Sequence, residues 1–596
     1  MSPTYQYPSN RSSVEESLLN ALSPDTPWAL IERFNTLTRE SGSDDERKAA
    51  EYIAGQLEIF GISHTVYEPE LFLSVPITAS LRTGDEAFEA RPLSFSISTP
   101  LEGITAEVIY LISQASETST ALGGDVTFSH PSGDEIDVRD KIVLVEGYGF
   151  EGAFHDFEQW GAKGVIYINP GEYIHSGICT TIWGAPDLDN APQQSTIAMV
   201  AINNPSGEVL KQRVAAGKTE VTLHTSMREG WFQCPVIVAE IEGQDEPERF
   251  ILAHGHYDSW YEGIGDNAVG DAALLELARI FYLHRDSLAR SIKFAWWPGH
   301  STGRYAGSTW FVDKFGLNLA RNCIAQMDID SPGCRDATAY YDISWMKEAE
   351  DFCTQVIKDA TGEAATGRRP LQAGDYSFNN IGVTGFFLLL SSIPEDVLRK
   401  KGYYPVGGCG GNIGWHSIHD TFDLADRDNL MRDLRVYAVT IQRVVNTTVY
   451  PFDFRNLADE FNVTLTTYAQ AAGHEVDFTP CFEVLGRLTS ALESFYSAIP
   501  QFNDRPITDQ AVQAINDSIL KLARILIPIN YTRRGKFRTE PAVAIPPLPD
   551  LAPALDIARA AGHQRHVIRT HLQRGVNRVA WAFEEALEII AAIQDI

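Results

Sequence analysis

The sequence predicts an α/β protein in which a doubly wound, mostly parallel sheet carries an inserted β-rich domain and is followed by a helical bundle. After Cys234, near-continuous apolar strands alternate with helical segments, a pattern typical of a parallel sheet covered on both faces. Short β-rich pieces between Gly, Pro and Asp turns precede this region, and amphipathic helices follow it. The predicted domains are 1–83 together with 236–453, then 84–235, and finally 454–596.

The N-terminal segment predicts two helices and a strand. Apolar residues recur at three- and four-residue steps within 27–61, as at Ala50, Ile53 and Leu57, which is the period of an amphipathic helix. Residues 64–76 contain β-branched and aromatic residues with prolines that mark strand ends, so they predict an extended strand.

Residues 84–235 predict an inserted α/β domain. An apparent helix at 150–162 lies between two apolar pieces at 141–148 and 164–169, which together form a strand-helix-strand unit. Gly, Pro and Asp turns separate the remaining β-rich pieces. The domain therefore has a sheet of its own.

The segment 236–453 predicts the doubly wound sheet. Its strands are expected at 236–243, 249–258, 291–300, 323–330 and 382–390, and two of its helices at 271–286 and 346–360. In such sheets the functional groups gather at the carboxyl ends of the parallel strands. Candidate site residues are therefore sought at those ends.

The C-terminal segment predicts a helical bundle. Amphipathic helices are expected at 482–499, 510–526 and 578–593, with a Pro-rich connection at 540–553.

The composition excludes several classes of partner. Among 596 residues, 48 Lys and Arg stand against 79 Asp and Glu, and the net charge of -31 would repel nucleic acid and anionic lipid. No apolar run approaches the ~20 residues of a membrane helix. The 7 cysteines lack paired spacing, which favours reduced thiols, and the N-terminus lacks a secretory pattern. We expect a cytoplasmic protein that binds neither nucleic acid nor membrane.

His256 and Asp258 end the strand 249–258. A histidine at this place can bind a divalent metal, while the carboxylate two residues on, on the same side of an extended chain, holds its other ring nitrogen. His-x-Asp alone is common, so further ligands are needed to predict a site.

Three more residues supply such ligands. Asp266 lies in a Gly-flanked turn before the helix 271–286, where it can bridge two ions or simply cap the helix. Asp328 ends another strand, and His416 follows a Gly-rich loop. Two imidazoles and two carboxylates in these places predict a metal site.

The order of these residues resembles the co-catalytic zinc aminopeptidase family that includes bacterial aminopeptidases, glutamate carboxypeptidase II and the transferrin receptor. The resemblance implies that His256, Asp266 and Asp328 hold one ion, and that Asp266 and His416 hold a second. It implies one or two divalent ions, zinc before iron or manganese. The inserted domain is similar to a protease-associated apical domain, and the helical bundle is similar to a receptor-type dimerisation domain, which implies a homodimer.

The family places a Glu-Glu pair between these ligands, with the first glutamate as general base and the second as a ligand. Aligned from strand residues 294–297, His300 and Ser301 take these positions in this chain, whereas the opposite alignment gives Ser301 and Thr302. His300 can ligate an ion or accept a proton near neutral pH, or it can be a packed loop residue. As a ligand with Asp266 and His416 it would form a set that also suits non-haem iron. His300 and Asp258 are the predicted catalytic residues.

Several loop residues are predicted to line a substrate pocket. Asp375 and Tyr376 resemble a substrate-side segment of the family. Trp415 stands where the carboxypeptidase branch has a tyrosine, which removes a hydroxyl that can stabilise an oxyanion. The others can bind an anionic or aromatic group. The predicted substrate-binding residues are Arg304, Tyr305, Asp375, Tyr376, Tyr404 and Trp415.

Three functions are compatible with this pattern. The first is a metal-dependent hydrolase that cleaves an amide or related bond in a small molecule or short peptide by means of a metal-activated water. The second is a catalytically inactive, homodimeric binding protein, because the transferrin receptor branch has this architecture without catalysis. The third is a mononuclear non-haem iron enzyme that uses the same site.

Overall fold

A computed structural model describes residues 13–115, 126–133, 135–149 and 153–593. The helices are α1 (Ser13–Ala21), α2 (Asp25–Phe34), α3 (Asp44–Phe60), α4 (Ala153–Gln159), α5 (Asn204–Ala216), α6 (Val269–Leu283), α7 (Ala306–Asn322), α8 (Glu350–Thr361), α9 (Glu395–Lys401), α10 (Arg427–Asn446), α11 (Phe454–Ala472), α12 (Thr479–Ala498), α13 (Gln510–Tyr531) and α14 (Gly562–Ala591).

The strands form two sheets, which we call the central sheet and the inserted sheet. They are β1 (His64–Tyr67), β2 (Glu70–Thr83), β3 (Glu86–Phe88), β4 (Arg91–Pro92), β5 (Ile104–Ala115), β6 (Val126–Ser129), β7 (Ile142–Glu146), β8 (Gly164–Ile168), β9 (Ala198–Ile202), β10 (Glu220–Gln233), β11 (Val236–Ile241), β12 (Glu246–His256), β13 (Arg290–Trp297), β14 (Cys323–Asp328), β15 (Tyr340–Trp345), β16 (Ala365–Arg368) and β17 (Thr384–Leu388).

The central sheet has eight strands in the order β1-β11-β13-β12-β14-β17-β15-β16. Its four middle strands are parallel, and antiparallel pairs lie toward both edges. On β12, Ile251 packs in the core that includes α6, whereas Leu252 packs in the core that includes α7. Both faces are therefore covered, which confirms the α/β class and explains why β14 and β17 are buried along their whole length.

The inserted sheet has the strand order β3-β2-β10-β5-β7-β8-β9-β4, with β6 paired to β5. Apolar residues on its two faces form two separate cores. The predicted helix at 150–162 is observed as α4, and its first three residues lie outside the described ranges. Its assignment as a protease-associated domain stays a prediction.

The boundary between the two sheets differs from the predicted one at residue 83. β2 pairs with β10 along nearly its whole length, from Glu70 opposite Gln233 to Arg82 opposite Thr222. This two-stranded ribbon belongs to the inserted sheet and leads to it from the central sheet. The sequence pattern of β2 could not show this, because the pairing partner lies far along the chain.

The C-terminal helices α11 to α14 pack on one another and on the central domain, so the predicted helical region is confirmed. Arg524 on α13 is buried, and its guanidinium donates to the backbone carbonyls of Ala320, Cys323 and Gly382. Because these carbonyls flank β14 and β17, the arginine fixes the helical region against the strands that carry the candidate site.

In the ranges that the structure describes, no helix combines the length and the apolar character needed to cross a bilayer.

Glu348 makes the stability of this packing dependent on pH. The side chain is 1% exposed and accepts a hydrogen bond from the Thr384 hydroxyl (2.8 Å). Burial raises the pKa of Glu348 from 4.5 to about 7. As pH rises, Glu348 therefore ionises at a lower pH in the unfolded chain than in the folded protein. The free energy of unfolding falls between pH 4.5 and pH 7, by about 3 kcal/mol at most.

We expect Glu348→Gln to remove this loss, because the amide stays neutral. In thermal unfolding, the Tm of Glu348→Gln minus the Tm of wild type should be larger at pH 8 than at pH 5. The exposed Glu363→Gln is the matched control and should leave the Tm unchanged at both pH values. An equal Tm difference for Glu348→Gln at pH 5 and pH 8 would contradict the argument.

Candidate metal centre

The candidate site lies where the parallel strands of the central sheet end. His256 is the last residue of β12, His300 follows β13, and Asp328 ends β14. Because β13, β12 and β14 are neighbours and parallel, their carboxyl ends meet at one edge. The sheet topology alone brings these distant residues together.

Asp266 is at the middle of the site. Its Oδ1 lies 3.0 Å from Nε2 of His256, and its Oδ2 lies 3.0 Å from Nε2 of His416. Burial alone would raise the pKa of Asp266, but the two imidazoles hold it well below its ordinary value. One buried carboxylate therefore contacts two imidazoles, one on each of its oxygens.

The alternative role of Asp266 as a helix cap does not fit the geometry. The N-cap position of α6 is Ala268, and the Asp266 side chain faces the imidazoles. The turn is fixed by Asp420, which accepts hydrogen bonds from the backbone N–H groups of Gly265 and Asp266 (2.6 and 3.0 Å). Asn267 next to it donates to the Ile329 carbonyl (2.8 Å).

All three imidazoles are anchored through Nδ1 to an oxygen that can only accept a hydrogen bond. These bonds join His256 to the Asp258 carbonyl (3.0 Å), His300 to Asp375 Oδ2 (2.8 Å), and His416 to the Ser176 carbonyl (3.1 Å). The hydrogen-bond network thus assigns the proton to Nδ1 and leaves a lone pair on each Nε2. This is the arrangement of histidines that ligate a metal.

The donor set fits a divalent ion. Nε2 of His256 is buried and makes no hydrogen bond of suitable geometry among the described residues, although Asp266 Oδ1 lies 3.0 Å away and Asp330 Oδ2 lies 3.7 Å away. Burial alone would lower the pKa of His256, but the surrounding carboxylates hold it well above its ordinary value, so the position favours a cation. Potential ligand atoms of His256, His300 and Asp330 all lie within 4.8 Å of one another. Two imidazoles and a carboxylate suit zinc or another transition metal.

The structure differs from the predicted ligand set at Asp328. Its Oδ2 accepts the backbone N–H of Asp375 (3.0 Å), whereas Asp330, two residues further on, faces His256. Burial, with the charges of Asp375 and Asp330, raises the pKa of Asp328 well above its ordinary value. The loop beyond β14 turns the second of the two aspartates, and not the first, toward His256. Residues at i and i+2 share a side of an extended chain, so the strand pattern alone does not distinguish Asp328 from Asp330.

Asp258 positions the loop that carries His300. Its two carboxylate oxygens accept the backbone N–H groups of His300 and Ser301 (3.0 Å each), and Oδ1 lies 3.7 Å from Nδ1 of His256. As a result the rings of His256 and His300 stack with centroids 3.7 Å apart. The sequence predicts that the Asp258 carboxylate binds the second ring nitrogen of His256. In the structure the nearer partner of Nδ1 is the backbone carbonyl of Asp258, at 3.0 Å.

The predicted substrate residues divide into two groups. Asp375 and Tyr305 contact His300, the first through the hydrogen bond to Nδ1 and the second by an edge-to-face ring contact at 4.8 Å. Arg304 lies next to Tyr305 in the same loop.

The other three predicted substrate residues have packing roles. The Tyr376 hydroxyl donates to the Ser344 carbonyl (3.4 Å), the Tyr404 hydroxyl pairs with a histidine of the inserted domain, and Trp415 stacks on His416 at 3.6 Å. Their role in binding substrate stays a prediction.

The inserted domain contributes site residues that sequence analysis missed. The Ser176 N–H donates to the His416 carbonyl (2.7 Å), while the His416 ring donates back to the Ser176 carbonyl. Burial lowers the pKa of His175 to about 4, so this ring is neutral. It donates to the Trp415 carbonyl (2.6 Å) and accepts from the Tyr404 hydroxyl (2.9 Å). His175 and Ser176 thus fix the backbone and the ring of His416.

We expect His175→Ala to weaken metal binding about tenfold or more, because loss of a residue that orients a ligand commonly has this effect. Competition of the protein with a chelating dye measures the affinity. The exposed His474→Ala is the control and should bind metal like wild type. Unchanged affinity in a folded His175→Ala protein would show that the inserted domain does not position His416.

A buried carboxylate between imidazoles, at the carboxyl ends of parallel strands, defines an α/β domain with a candidate site for a divalent metal ion. Residues 236–440, which include most of the central sheet and the candidate site, match the model of peptidase family M28. The match confirms the resemblance that the order of the ligands predicts.

Similar proteins agree with this assignment. Aminopeptidase NAALADL1 of Mus musculus is 33% identical over 328 residues, which are 49% of this chain and 43% of that protein. A probable glutamate carboxypeptidase of Zea mays, VP8, is 23% identical over 257 residues, 40% of this chain and 34% of that protein. The chain thus spans less than half the length of these relatives. The structure of BSAP, a zinc aminopeptidase from Bacillus subtilis, matches with a TM-score of 0.53 at 17% identity and covers 71% of this chain and 95% of that chain.

The remaining sequence-based expectations stay predictions. They are the homodimer, the lack of nucleic-acid and membrane partners, and the cytoplasmic location.

Proposed function

We propose that the protein is a metal-dependent hydrolase that cleaves an amide or related bond in a small molecule or short peptide. The observation that carries the proposal is a set of three imidazoles, each anchored through Nδ1, of which His256 and His416 face the buried carboxylate of Asp266 through Nε2. Relatives named as aminopeptidases and carboxypeptidases support the same class of reaction.

Zinc is the ion that we propose, as one or two ions. The residues that would hold it are His256, Asp266, His300, Asp330 and His416. A divalent ion in such a site lowers the pKa of a bound water toward ~7 and polarises a carbonyl group. Because its two oxygens face different imidazoles, Asp266 is suited to bridge two ions.

His300 is proposed to replace the ligand glutamate of the family. Asp375 holds Nδ1 of His300, and also accepts a hydrogen bond from the Ser308 hydroxyl. This carboxylate therefore keeps the proton on Nδ1 and turns Nε2 toward the centre. The ring stacks on His256, and a ring nitrogen of each histidine lies within 4.8 Å of the other and of a carboxylate oxygen of Asp330.

The inserted domain supports the expectation of a small substrate, because its loop covers the site. Gly184 donates its backbone N–H to the Arg304 carbonyl (2.7 Å), and Trp183 packs on Tyr305 with ring centroids 4.3 Å apart. Together with the hydrogen bonds between Ser176 and His416, these contacts hold the inserted domain against the loops that carry His300 and His416. A roofed cleft restricts entry to small molecules and short peptide ends.

Metal analysis and activity measurements test the proposal. Purified protein should contain a divalent metal, lose activity toward aminoacyl anilides or N-acyl amino acids on chelation, and regain it with zinc or manganese. A bound ion should also raise the Tm, by mass action. A protein that takes up no metal and cleaves no substrate of the panel would instead be the inactive binding protein.

A second candidate, a mononuclear iron enzyme, is favoured by one observation. His256, His300 and Asp330 provide two histidines and one carboxylate, the set that suits non-haem iron. Co-purification of iron together with oxygen-dependent activity would support this candidate over the hydrolase.

A further inference from the structure

Arg304 is a buried cation without a hydrogen-bond acceptor. It is 2% exposed, and neither Nε nor Nη2 has a hydrogen-bond partner in the described part of the chain. Arg39, another buried arginine near the centre, donates to the backbone carbonyls of Tyr257, Glu262 and Gly263. Burying a charged group without a partner is costly, so Arg304 requires an acceptor from outside the fold.

Arg304 lies beside the metal centre. Its guanidinium carbon is 5.0 Å from the centroid of the Tyr305 ring, whose edge contacts His300. Its backbone carbonyl accepts the N–H of Gly184 from the inserted domain. The arginine therefore lies where the loop that carries His300 meets the inserted domain, one aromatic ring away from His300.

Two further buried donors lie on loops around the centre. The indole Nε1 of Trp260 and the hydroxyl of Thr302 have no hydrogen-bond partner among the residues that the structure describes. Trp260 contacts the ring of His416 edge to face at 4.4 Å, and Thr302 lies between His300 and Arg304 in the same loop. Indole and guanidinium groups can only donate hydrogen bonds. A ligand with several hydrogen-bond acceptors would therefore match these groups.

We propose that the substrate carries a carboxylate group and that Arg304 binds it, an inference that rests on the hydrolase function proposed above. A guanidinium presents two parallel N–H groups that match a carboxylate. One arginine neutralises one negative charge, so a monoanion fits better than a phosphate dianion. The arginine fixes the orientation of the substrate relative to the centre and takes no part in proton transfer.

Calorimetric titration tests the inference as a binding measurement, and the metal-free protein excludes turnover of the probes. The probes are hippurate, its neutral analogue hippuramide, and inorganic phosphate, each added to metal-free and to zinc-loaded protein. We expect Arg304→Gln to bind hippurate about 10- to 100-fold more weakly than wild type and to bind hippuramide equally well. Arg304→Lys keeps the charge but loses the two-pronged geometry, so its affinity should fall between the two. Arg399→Gln, exposed on α9, is the matched control.

Thermal unfolding separates ligand binding from a structural role. If Arg304 serves a ligand, ligand-free Arg304→Gln should unfold at the same Tm as wild type or higher, because an unpartnered buried charge has been removed. A lower Tm together with loss of hippuramide binding would overturn the inference, as would Arg304-independent binding of hippurate. No binding of hippurate by wild type, or tighter binding of phosphate, would overturn the carboxylate assignment.

The two proposals fail separately. Arg304-dependent hippurate binding in a protein without hydrolytic activity would contradict the hydrolase and leave the carboxylate site standing. An active hydrolase whose affinity for hippurate is the same with and without Arg304 would overturn only the carboxylate site.

Discussion

Asp266→Ala is expected to abolish tight metal binding and to reduce kcat/KM at least about 1,000-fold, which corresponds to about 4 kcal/mol. Asp266 is the residue whose carboxylate contacts both His256 and His416 at 3.0 Å, so its loss removes a shared ligand from both sides. Metal content per chain and the zinc-induced shift in Tm measure the first effect. Steady-state kinetics on the best substrate of the panel measures the second.

Asp266→Asn refines this test, because the amide keeps an oxygen and the size of the side chain but carries no charge. We expect it to bind metal more weakly than wild type and better than the alanine variant. The control is Asp459→Ala, which removes an exposed carboxylate on α11. Full metal content and normal kcat/KM in Asp266→Ala would show that the centre does not depend on the shared carboxylate.

His300→Ala is the second large effect that we expect, with a loss of metal and a fall in kcat of about 100-fold or more. The reason is that a ring nitrogen of His300 lies within 4.8 Å of potential ligand atoms of His256 and Asp330, while Asp375 accepts a hydrogen bond from Nδ1. His300→Glu restores the residue type of the family and should retain metal better than the alanine variant.

The two roles of His300 give different outcomes. If His300 is a metal ligand, the metal content of His300→Ala should fall. Asp375→Asn should then also lower the metal affinity, because the His300 ring loses the carboxylate that binds its Nδ1. If His300 is instead a proton acceptor, His300→Ala should keep its metal content and lose one limb of the pH-rate profile. Retention of metal with such a change in the profile would contradict the ligand role.

The fold could be predicted from the sequence because its elements have strong local patterns. β14 and β17 consist mostly of apolar residues, and α6 follows a glycine-rich turn, so the alternation of strands and helices is visible without any contact information. The rule that sites lie at carboxyl ends of parallel strands then selects His256 and Asp266. The structure places these two side chains 3.0 Å apart.

The parts that could not be predicted depend on contacts between distant segments. Asp330 was missed because the end of a strand selects Asp328, whereas the turn of the following loop decides which side chain faces His256. His175 and Ser176 were missed because they lie in the inserted domain, 240 residues before their partners. No local pattern in that domain indicates a contact with a ligand of the centre.

The reciprocal hydrogen bonds between Ser176 and His416 have a consequence for maturation of the protein. The inserted domain supplies the two hydrogen bonds that hold the ring and the backbone of His416, so we expect His416 to be fully oriented only after this domain has docked. A nascent chain that has completed the central sheet still lacks one properly oriented ligand. Metal uptake should therefore be a late event, which reports that independent folding units have assembled correctly.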